Sequence, residues 1–456
     1  MKAFSQRGAV ARYAVIAIAV IMVIAVIGVL WIVLGPGPMD FAGGKTVALA
    51  GYHGPDPTGV PPALAQASLV ERGEYLSHAA DCQSCHTAQD GVPFAGGRAF
   101  ILPFGTLYST NITPDTQTGI GAYSDADFLR AVHRGIRRDG ARLYPGMPYD
   151  AYTYMTDADA LAIKAYLFSL APVNASAPSN TLVFPFNQRW LLSFWSLLFN
   201  PDRRFEPNTG HSPQWNRGAY LAEALGHCGE CHTPRNLLEA LNNRRKFAGA
   251  VQSGWRAYNV TTDSGSGIGG WTDEELTRYI WAGHADGRGT ASGPMGEAVD
   301  LSLAHLAPDD IAAIVNYERT IPAISTPYLP TVKETPAPAS HKLGVPATFD
   351  PHGKQIFEGA CVSCHDWTGV SPLTSWATLI GARAVNDPTA TNAAQIVISG
   401  TVRQTPHGPI FMPAFGAAYS DLEIAAVANY VIARFGSKPS AISAENVGKL
   451  RKQGAE

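Results

Sequence analysis

The stretch Cys82-Gln83-Ser84-Cys85-His86 decides the fold of this chain, because its C-x-x-C-H pattern occurs twice more. The repeats are Cys228-Gly229-Glu230-Cys231-His232 and Cys361-Val362-Ser363-Cys364-His365. In this pattern the two thiols attach a haem covalently and the histidine becomes a ligand of its iron. The chain has six cysteines and the motifs contain all of them, so none remains for a disulfide or a catalytic thiol. The sequence therefore predicts three covalently bound haem c groups.

Zinc is the alternative for paired cysteines, since a C-x-x-C pair also forms half of a tetrahedral zinc site. Zinc half-sites lie about 12–20 residues from their partners. Here the motifs begin far apart, at positions 82, 228 and 361. Zinc would also leave unexplained the histidine that follows every second cysteine. The spacing therefore favours haem over zinc and over a redox-active dithiol.

Methionine is the usual sixth ligand of iron in electron-transfer cytochromes c. Four of the seven methionines follow the first motif in the sequence: Met147, Met155, Met295 and Met412. We predict ligation by Met147, Met295 and Met412, because proline adjoins each of them, and glycine adjoins Met147 and Met295, which is typical of a loop that presents a side chain. Met155 lies beside a predicted helix start, where packing is the simpler role, and is the alternative to Met147. The predicted iron ligands are His86, Met147, His232, Met295, His365 and Met412.

Two histidines outside the motifs are rival iron ligands. His227 directly precedes the second motif, and His407 lies near Met412. An iron with histidine and methionine ligands has no vacant position, so its expected role is the transfer of single electrons. The sequence contains no nucleophile elbow, no phosphate-binding loop, no H-E-x-x-H and no dinucleotide glycine fingerprint that follows a predicted strand. We therefore expect a subunit without a catalytic site of its own.

Composition indicates a globular, loop-rich chain. Its 456 residues allow about three domains, and 45 glycines and 33 prolines suit small domains in which a cofactor fills much of the core. The formal net charge of −3 gives no reason to expect nucleic acid as a partner.

A run of 22 uncharged residues from Tyr13 to Leu34 is long enough to span a bilayer. Lys2, Arg7 and Arg12 precede it, which places the amino terminus in the cytoplasm. We predict a single-pass anchor in the bacterial inner membrane, with the haem domains in the periplasm. A cleaved signal peptide is the alternative, but the apolar run exceeds the usual length of a signal core.

The order of segments around the first motif repeats around the second, which indicates an internal duplication. In each third of the chain a helix with a glycine precedes the motif and a helix with a tyrosine closes the domain. We expect these two helices to cross. This arrangement resembles small class I cytochromes c and implies a mainly α fold, with one N-terminal transmembrane helix followed by three class I cytochrome c domains.

The predicted segments are a cytoplasmic terminus (1–12), an anchor (13–34), a linker (35–63), domain 1 (64–175), an apolar linker (176–210), domain 2 (211–320), a Pro-rich linker (321–347), domain 3 (348–438) and a polar tail (439–456). The composition of the Pro-rich linker is typical of an extended strap. The apolar stretch 184–199 has two interpretations: a helix buried between domains, or a surface against lipid, a partner subunit or a quinone.

Three segments carry a specific resemblance: 108–114, 143–149 and 226–235. They resemble the three-haem cytochrome c subunit of bacterial membrane-bound periplasmic dehydrogenases, over roughly Leu64 to Phe435. The resemblance implies that electrons pass from a large catalytic subunit, across the haems, to ubiquinone. Segments 255–259 and 289–295 look closer to cytochromes of molybdopterin aldehyde dehydrogenases, which implies a molybdopterin catalytic subunit and a small iron–sulfur subunit.

Other functions remain open at this point. The same relay could serve a quinoprotein alcohol dehydrogenase or a flavin-dependent gluconate, sorbitol or fructose dehydrogenase. A haem peroxidase would need an open or easily displaced iron ligand. We also expect that domain 1, with the 184–199 stretch, delivers electrons to quinone.

Overall fold

The computed structural model describes residues 2–337, 351–405 and 408–454; within the first helix, the side chains of 2–12, 14, 29, 32 and 33 are outside this description. Within these residues the fold is mainly helical, with four two-stranded antiparallel hairpins. The helices are α1 (Lys2–Val33), α2 (Leu69–Ala79), α3 (Cys82–Cys85), α4 (Asp125–Arg134), α5 (Tyr149–Tyr152), α6 (Asp157–Ser169), α7 (Leu192–Phe199), α8 (Pro213–Ala219), α9 (Gly229–His232), α10 (Asp273–Ala282), α11 (Gly293–Leu301), α12 (Pro308–Glu318), α13 (Pro351–Ile356), α14 (Val362–His365), α15 (Thr391–Ser399), α16 (Asp421–Phe435) and α17 (Ala444–Gln453). The hairpins pair β1 (Ala99–Leu102) with β2 (Gly105–Tyr108), β3 (Ala250–Gln252) with β4 (Trp255–Ala257), β5 (His284–Ala285) with β6 (Gly289–Thr290), and β7 (Thr401–Arg403) with β8 (Ile410–Met412).

One crossing of two helices recurs in each third of the chain. The pairs are α2 with α6, α8 with α12, and α13 with α16. Each crossing is made at a glycine, namely Gly73, Gly218 and Gly353. A Cβ at these positions would overlap the carbonyl oxygens of Ala162, Ala313 and Ala426, respectively. The predicted crossing of a glycine-bearing helix and a tyrosine-bearing helix is therefore confirmed, and only a residue without a Cβ permits the observed approach.

Short polar side chains set where the helices begin. Ser124 accepts a hydrogen bond from the Asp127 amide, and the Asp127 carboxylate binds back to Ser124, which starts α4. Thr156 caps α6 through the amide of Asp159. Both helix starts are local patterns of side chain and backbone, which residues close together in the sequence are enough to specify.

Domains 1 and 2 share one hydrophobic core and exchange equivalent contacts. Tyr75 of α2 donates its hydroxyl hydrogen to Asp310 of α12 over 2.5 Å. Tyr220, the equivalent tyrosine of domain 2, donates to Asp159 of α6 over 2.5 Å. Such reciprocal contacts are the signature of a two-fold interface. The duplicated domains are therefore arranged like the two halves of a symmetric dimer within one chain.

Domain 3 has hydrophobic clusters of its own. Polar side chains connect it to domain 2. Arg256 of β4 lies 3.0 Å from the carboxylate of Asp387, which is fully buried. Asn392 makes two hydrogen bonds with the backbone of Arg256. The strap preceding domain 3 is described as far as Ala337, whose amide donates to the carbonyl of Thr368. Residues 338–350 of the predicted Pro-rich linker and domain 3 start lie outside the described residues.

The predicted polar tail includes a packed helix. In α17, Val447 and Leu450 are buried against α15 and α16. The intervening polar residues favoured a tail, although two apolar side chains one turn apart are enough to seat a short helix.

The structure corrects the predicted single-pass anchor at 13–34. Those residues lie at α1 and its end, and crossing a bilayer takes about 20 consecutive apolar residues. In the described part of the chain, no helix has the length and apolar character needed to span a membrane. The predicted anchor, and the inner-membrane localisation based on it, are therefore not supported.

The apolar stretch 184–199 lies on the surface, which decides between its two interpretations. Trp190, Phe194 and Leu197 are exposed by 61%, 60% and 80%. Ser196, on the opposite side of α7, is buried, and its hydroxyl lies 3.3 Å from that of Tyr149. The interpretation as a helix buried between domains is therefore wrong.

The glycine crossing generates the first prediction. Replacing Gly353 by alanine should lower the free energy of unfolding of domain 3 by about 1–3 kcal/mol, because the new Cβ collides with the backbone of α16. Gly359, six residues along, is exposed, and a Cβ added there would meet nothing within 4 Å. Gly359→Ala is therefore the matched control and should be neutral or slightly stabilising. Denaturant unfolding followed by circular dichroism measures both; equal midpoints would contradict the crossing.

Candidate haem sites

Each C-x-x-C-H motif forms one helical turn. In the first motif the amide of His86 donates to the carbonyl of Cys82 over 3.1 Å, and in the second that of His232 donates to Cys228 over 3.1 Å. The third motif contains α14. Residues three and four apart lie on the same face of such a turn. Both thiols and the imidazole of each motif are therefore directed to one side, as attachment of a single planar group requires.

The three motif histidines make the same hydrogen bond. Nδ1 of His86 lies 2.6 Å from the carbonyl oxygen of Thr110, and Nδ1 of His232 lies 2.6 Å from that of Tyr258. In the third motif Nδ1 of His365 lies 2.6 Å from the carbonyl oxygen of Ala377. A carbonyl oxygen only accepts, so Nδ1 carries the hydrogen. Nε2 keeps its lone pair for a metal, and the ring is held in one orientation.

Burial favours the neutral form of all three motif imidazoles. Loss of solvent lowers the pKa of His86, His232 and His365, and the bond to the carbonyl opposes part of that shift. A ligating histidine must be neutral. All six motif cysteines, each within the described residues, are free thiols. The donor set therefore fits haem c: two thiols for attachment and one oriented neutral imidazole in each motif.

The predicted methionine ligands lie in three different local structures. Met147 lies in a bend before α5 and packs against the same core as Cys82. Met295 lies in the first turn of α11, and Met412 is the last residue of β8, paired with Thr401. The expectation of loops is thus correct for Met147 only. Pro294 starts a helix rather than interrupting one, since proline is accepted in a first turn.

Met155 has a different environment from Met147. Its side chain is 1% exposed and belongs to the core shared by domains 1 and 2. Met147 is half-buried at the edge of that core. This placement is consistent with packing as the role of Met155, and Met147 stays the predicted ligand of the first iron.

Of the two histidines considered as alternative iron ligands, His227 lies within the described residues and His407 does not. His227 is held in a left-handed backbone conformation with φ of 37°, and its ring meets the ring of Tyr152 edge-on at 5.5 Å. Its buried Nε2 has no hydrogen-bond partner among the described residues, and burial lowers its pKa. It therefore lies at the contact of domains 1 and 2. His407 lies outside the described residues.

The region between the first two motifs contains buried carboxyl groups that the sequence analysis missed. Glu230, inside the second motif, pairs with Arg235 over 2.6 Å. Burial and the neighbouring Glu230 raise the pKa of Asp150, which lies three residues after Met147. Burial also raises the pKa of Asp81 to about 7. These groups meet only when the domains dock, so no local pattern could reveal them.

Arg98 connects the first motif to the helix that carries Met295. Its Nη1 donates to the carbonyl oxygen of Ser84, inside the first motif. The same nitrogen lies 2.5 Å from the carboxylate of Glu297, two residues after Met295. The attachment turn of domain 1 and the methionine helix of domain 2 are therefore adjacent.

The chain is similar to known cytochromes in parts of its sequence and to individual proteins over most of its length. A family model described as "Cytochrome c" matches residues 70–171, and one described as "Cytochrome C oxidase, cbb3-type, subunit III" matches residues 350–431. The fructose dehydrogenase cytochrome subunit of Gluconobacter japonicus is 38% identical over 88% of this chain and 86% of its own length.

Two further relatives show the range of similar proteins. The gluconate 2-dehydrogenase cytochrome c subunit of Pantoea cypripedii is 37% identical over 84% of this chain and 90% of its own length. A nicotinate dehydrogenase subunit of Pseudomonas putida is 38% identical over 82% of this chain, but the chain spans only 31% of that protein. Alcohol dehydrogenase (quinone) cytochrome c subunits match at 33% identity.

The donor sets generate a prediction about haem number. Replacing Cys361 and Cys364 together by serine should remove one of the three predicted haems, because the other four cysteines belong to the first and second motifs. The ratio of haem to protein, measured as the pyridine haemochrome, should then fall by about one third. Ser363→Ala changes the exposed residue between the same cysteines and is the control. An unchanged ratio in the double variant would contradict attachment at the third motif.

Proposed function

The chain belongs to the family of cytochrome c subunits of dehydrogenases, and on this premise we propose that it is a three-haem electron-transfer subunit. In its family such a subunit receives electrons from a catalytic dehydrogenase subunit. The observation that carries the proposal is the identical hydrogen bond of the three motif histidines, each of which leaves Nε2 available. Bound haems would supply one-electron oxidation and reduction at these positions.

The side chains of this protein would orient and enclose the bound groups. Thr110, Tyr258 and Ala377 fix the orientation of the histidines through their carbonyl oxygens. Met147, Met295 and Met412 would occupy the remaining iron positions, which leaves no site for peroxide and argues against the haem peroxidase alternative. Methionine ligation also raises the reduction potential.

Domain 2 would be the centre of the relay. Arg98 joins its helix α11 to the first motif, and the hairpin β7–β8 of domain 3 contacts the same helix from another direction. Electron transfer between neighbouring redox centres requires short separations, and these contacts support the shortest route through domain 2.

A lipid-soluble quinone, ubiquinone in particular, would be the electron acceptor. We call the exposed residues Phe184, Trp190, Phe194 and Leu197 the α7 surface. Trp195, on the inner side of α7, meets the ring of Tyr149 edge-on at 5.8 Å. Because Tyr149 follows Met147 by two residues, the contact between Trp195 and Tyr149 links α7 to the segment that carries the proposed iron ligand of domain 1. Large exposed apolar patches are typical of sites that bind apolar partners.

The identity of the electron donor is tested by what co-purifies. The relatives belong to fructose, gluconate, alcohol and nicotinate dehydrogenases. The molybdopterin aldehyde dehydrogenase favoured from sequence, with its iron–sulfur subunit, gains no support from them but remains one outcome of the experiment.

Purification of the native complex, followed by mass spectrometry and by metal and flavin analysis, should reveal a large dehydrogenase subunit in a constant ratio to this chain. Flavin or pyrroloquinoline quinone would indicate a sugar or alcohol enzyme, and molybdenum would indicate a hydroxylase. Adding the substrate of that enzyme should reduce the haems. Two results would contradict the proposed role: recovery of this chain without a dehydrogenase subunit, or haems that a co-purified dehydrogenase does not reduce.

The α7 surface generates a further prediction. The double variant Phe194→Ser, Leu197→Ser should lower the rate of quinone reduction about tenfold, a loss of about 1.4 kcal/mol in transition-state binding. Both side chains are exposed, so haem content and reduction by dithionite should stay unchanged. Leu373→Ser removes a leucine that is 69% exposed on domain 3 and is the control. Unaltered quinone reduction in the double variant would remove the α7 surface from the proposal.

A further inference from the structure

Arg403 is a buried arginine at the boundary of domains 2 and 3. It ends β7, and its side chain is 2% exposed. The backbone of Arg403 belongs to domain 3, where it pairs with Ile410 of β8. Its guanidinium extends into domain 2. A buried charge is costly unless several groups solvate it, so the surroundings of this guanidinium are informative.

The guanidinium is solvated by three oxygens of domain 2. Nη1 donates to the carbonyl oxygen of Gly296 and lies 3.1 Å from the carboxylate of Asp300. Nη2 donates to the carbonyl oxygen of Ala282 over 3.2 Å. Asp300 and Gly296 both belong to α11. The fork-shaped guanidinium can bind several oxygens at once, which the single ammonium of lysine does not reproduce.

Two glycines make room for this side chain. A Cβ at Gly283 would overlap the guanidinium, and one at Gly296 would lie 3.0 Å from Nη1. Gly283 also ends α10 with φ of 75°, a conformation that favours glycine. The end of one helix and the first turn of another are therefore both shaped around Arg403.

The contacts of Arg403 connect two methionine-bearing segments. Gly296, whose carbonyl accepts from Arg403, directly follows Met295 in the first turn of α11. On the other side, β7 pairs with β8, and Thr401 lies opposite Met412. One side chain thus spans from the hairpin that ends in Met412 to the helical turn that contains Met295.

We propose that Arg403 is a positioning residue that fixes the α11 turn carrying Met295 against the hairpin carrying Met412. The proposal rests on the proposed function, because it takes these two methionines to be iron ligands. Arg403 acts through the backbone at Gly296 and needs no contact with the iron. Its loss releases the first turn of α11, so ligation by Met295 weakens while the covalent attachment at Cys228 and Cys231 is unaffected.

The test uses the full-length holoprotein and two substitutions of this residue. Arg403→Gln keeps one hydrogen-bond donor but removes the charge and the fork. Arg403→Lys keeps the charge and guards against a variant that fails to fold. Arg383 is the matched control, since its guanidinium also joins domain 3 to earlier parts of the chain, through the carbonyl oxygens of Pro330 and Gly265, without contacting either methionine segment.

Two readouts distinguish positioning from general stability. The sulfur-to-iron charge-transfer absorption of the oxidised protein reports methionine ligation, and a potentiometric titration reports the reduction potential of each haem. In Arg403→Gln we expect loss of about one third of that absorption, one haem of three, and a lower potential for the same haem, because methionine ligation raises the potential. Arg403→Lys should show the same change in part. Arg383→Gln should leave both readouts unchanged.

The outcomes separate the inference from its premise. Full absorption and three unchanged potentials in Arg403→Gln would overturn the positioning role. Equal changes in Arg403→Gln and Arg383→Gln would also overturn it, since domain contact alone would then explain them. Wild-type protein without the charge-transfer absorption would instead refute methionine ligation, and with it that part of the proposed function.

Discussion

The close crossing of two helices at a glycine is the constraint on which each domain depends. At Gly73, Gly218 and Gly353 the first helix lies against the backbone of the last one, at a distance that excludes any Cβ. The crossing brings the two ends of each domain together and leaves the attachment turn directly beyond the first helix. Haem attachment, histidine orientation and methionine placement all depend on this scaffold. The two helices of each domain can approach this closely only because glycine, which has no Cβ, occupies the crossing position.

Duplication and docking join the first two similar domains into a single unit. Domains 1 and 2 exchange the same tyrosine–aspartate hydrogen bond in both directions, from Tyr75 to Asp310 and from Tyr220 to Asp159. Each buried hydroxyl and carboxylate is thereby satisfied by the other domain, which makes the relative orientation specific. Domain 3 lacks this symmetry and is joined to domain 2 by charged side chains. Helix α11 lies where both interfaces meet, which explains why its first turn has partners from domains 1 and 3.

Sequence-based interpretations of several segments were wrong or stayed open, because amino-acid composition alone does not specify the surroundings of a segment in the folded chain. Proline and glycine beside Met295, and a proline beside Met412, predicted loops, whereas the structure has a helix start and a strand end, because both residue types are also accepted at the ends of regular elements. The sequence left two interpretations of segment 184–199, a buried helix or an exposed apolar surface, because apolar composition does not determine what a helix packs against. The predicted anchor at 13–34 rested on length and hydropathy alone and has no support among the described residues.

The sequence by itself determined the haem-attachment motifs, the repeated domain plan, the helix caps at Ser124 and Thr156 and the glycines of the crossings. Each of these is a pattern of residues near one another in the chain, and the physical cause acts over the same short range. Only the tertiary structure decided that Arg403 binds the carbonyl oxygen of Gly296 and that Arg98 joins Ser84 to α11. Such partners are far apart in sequence and meet because whole domains dock, so their pairing depends on the shape of two completed surfaces.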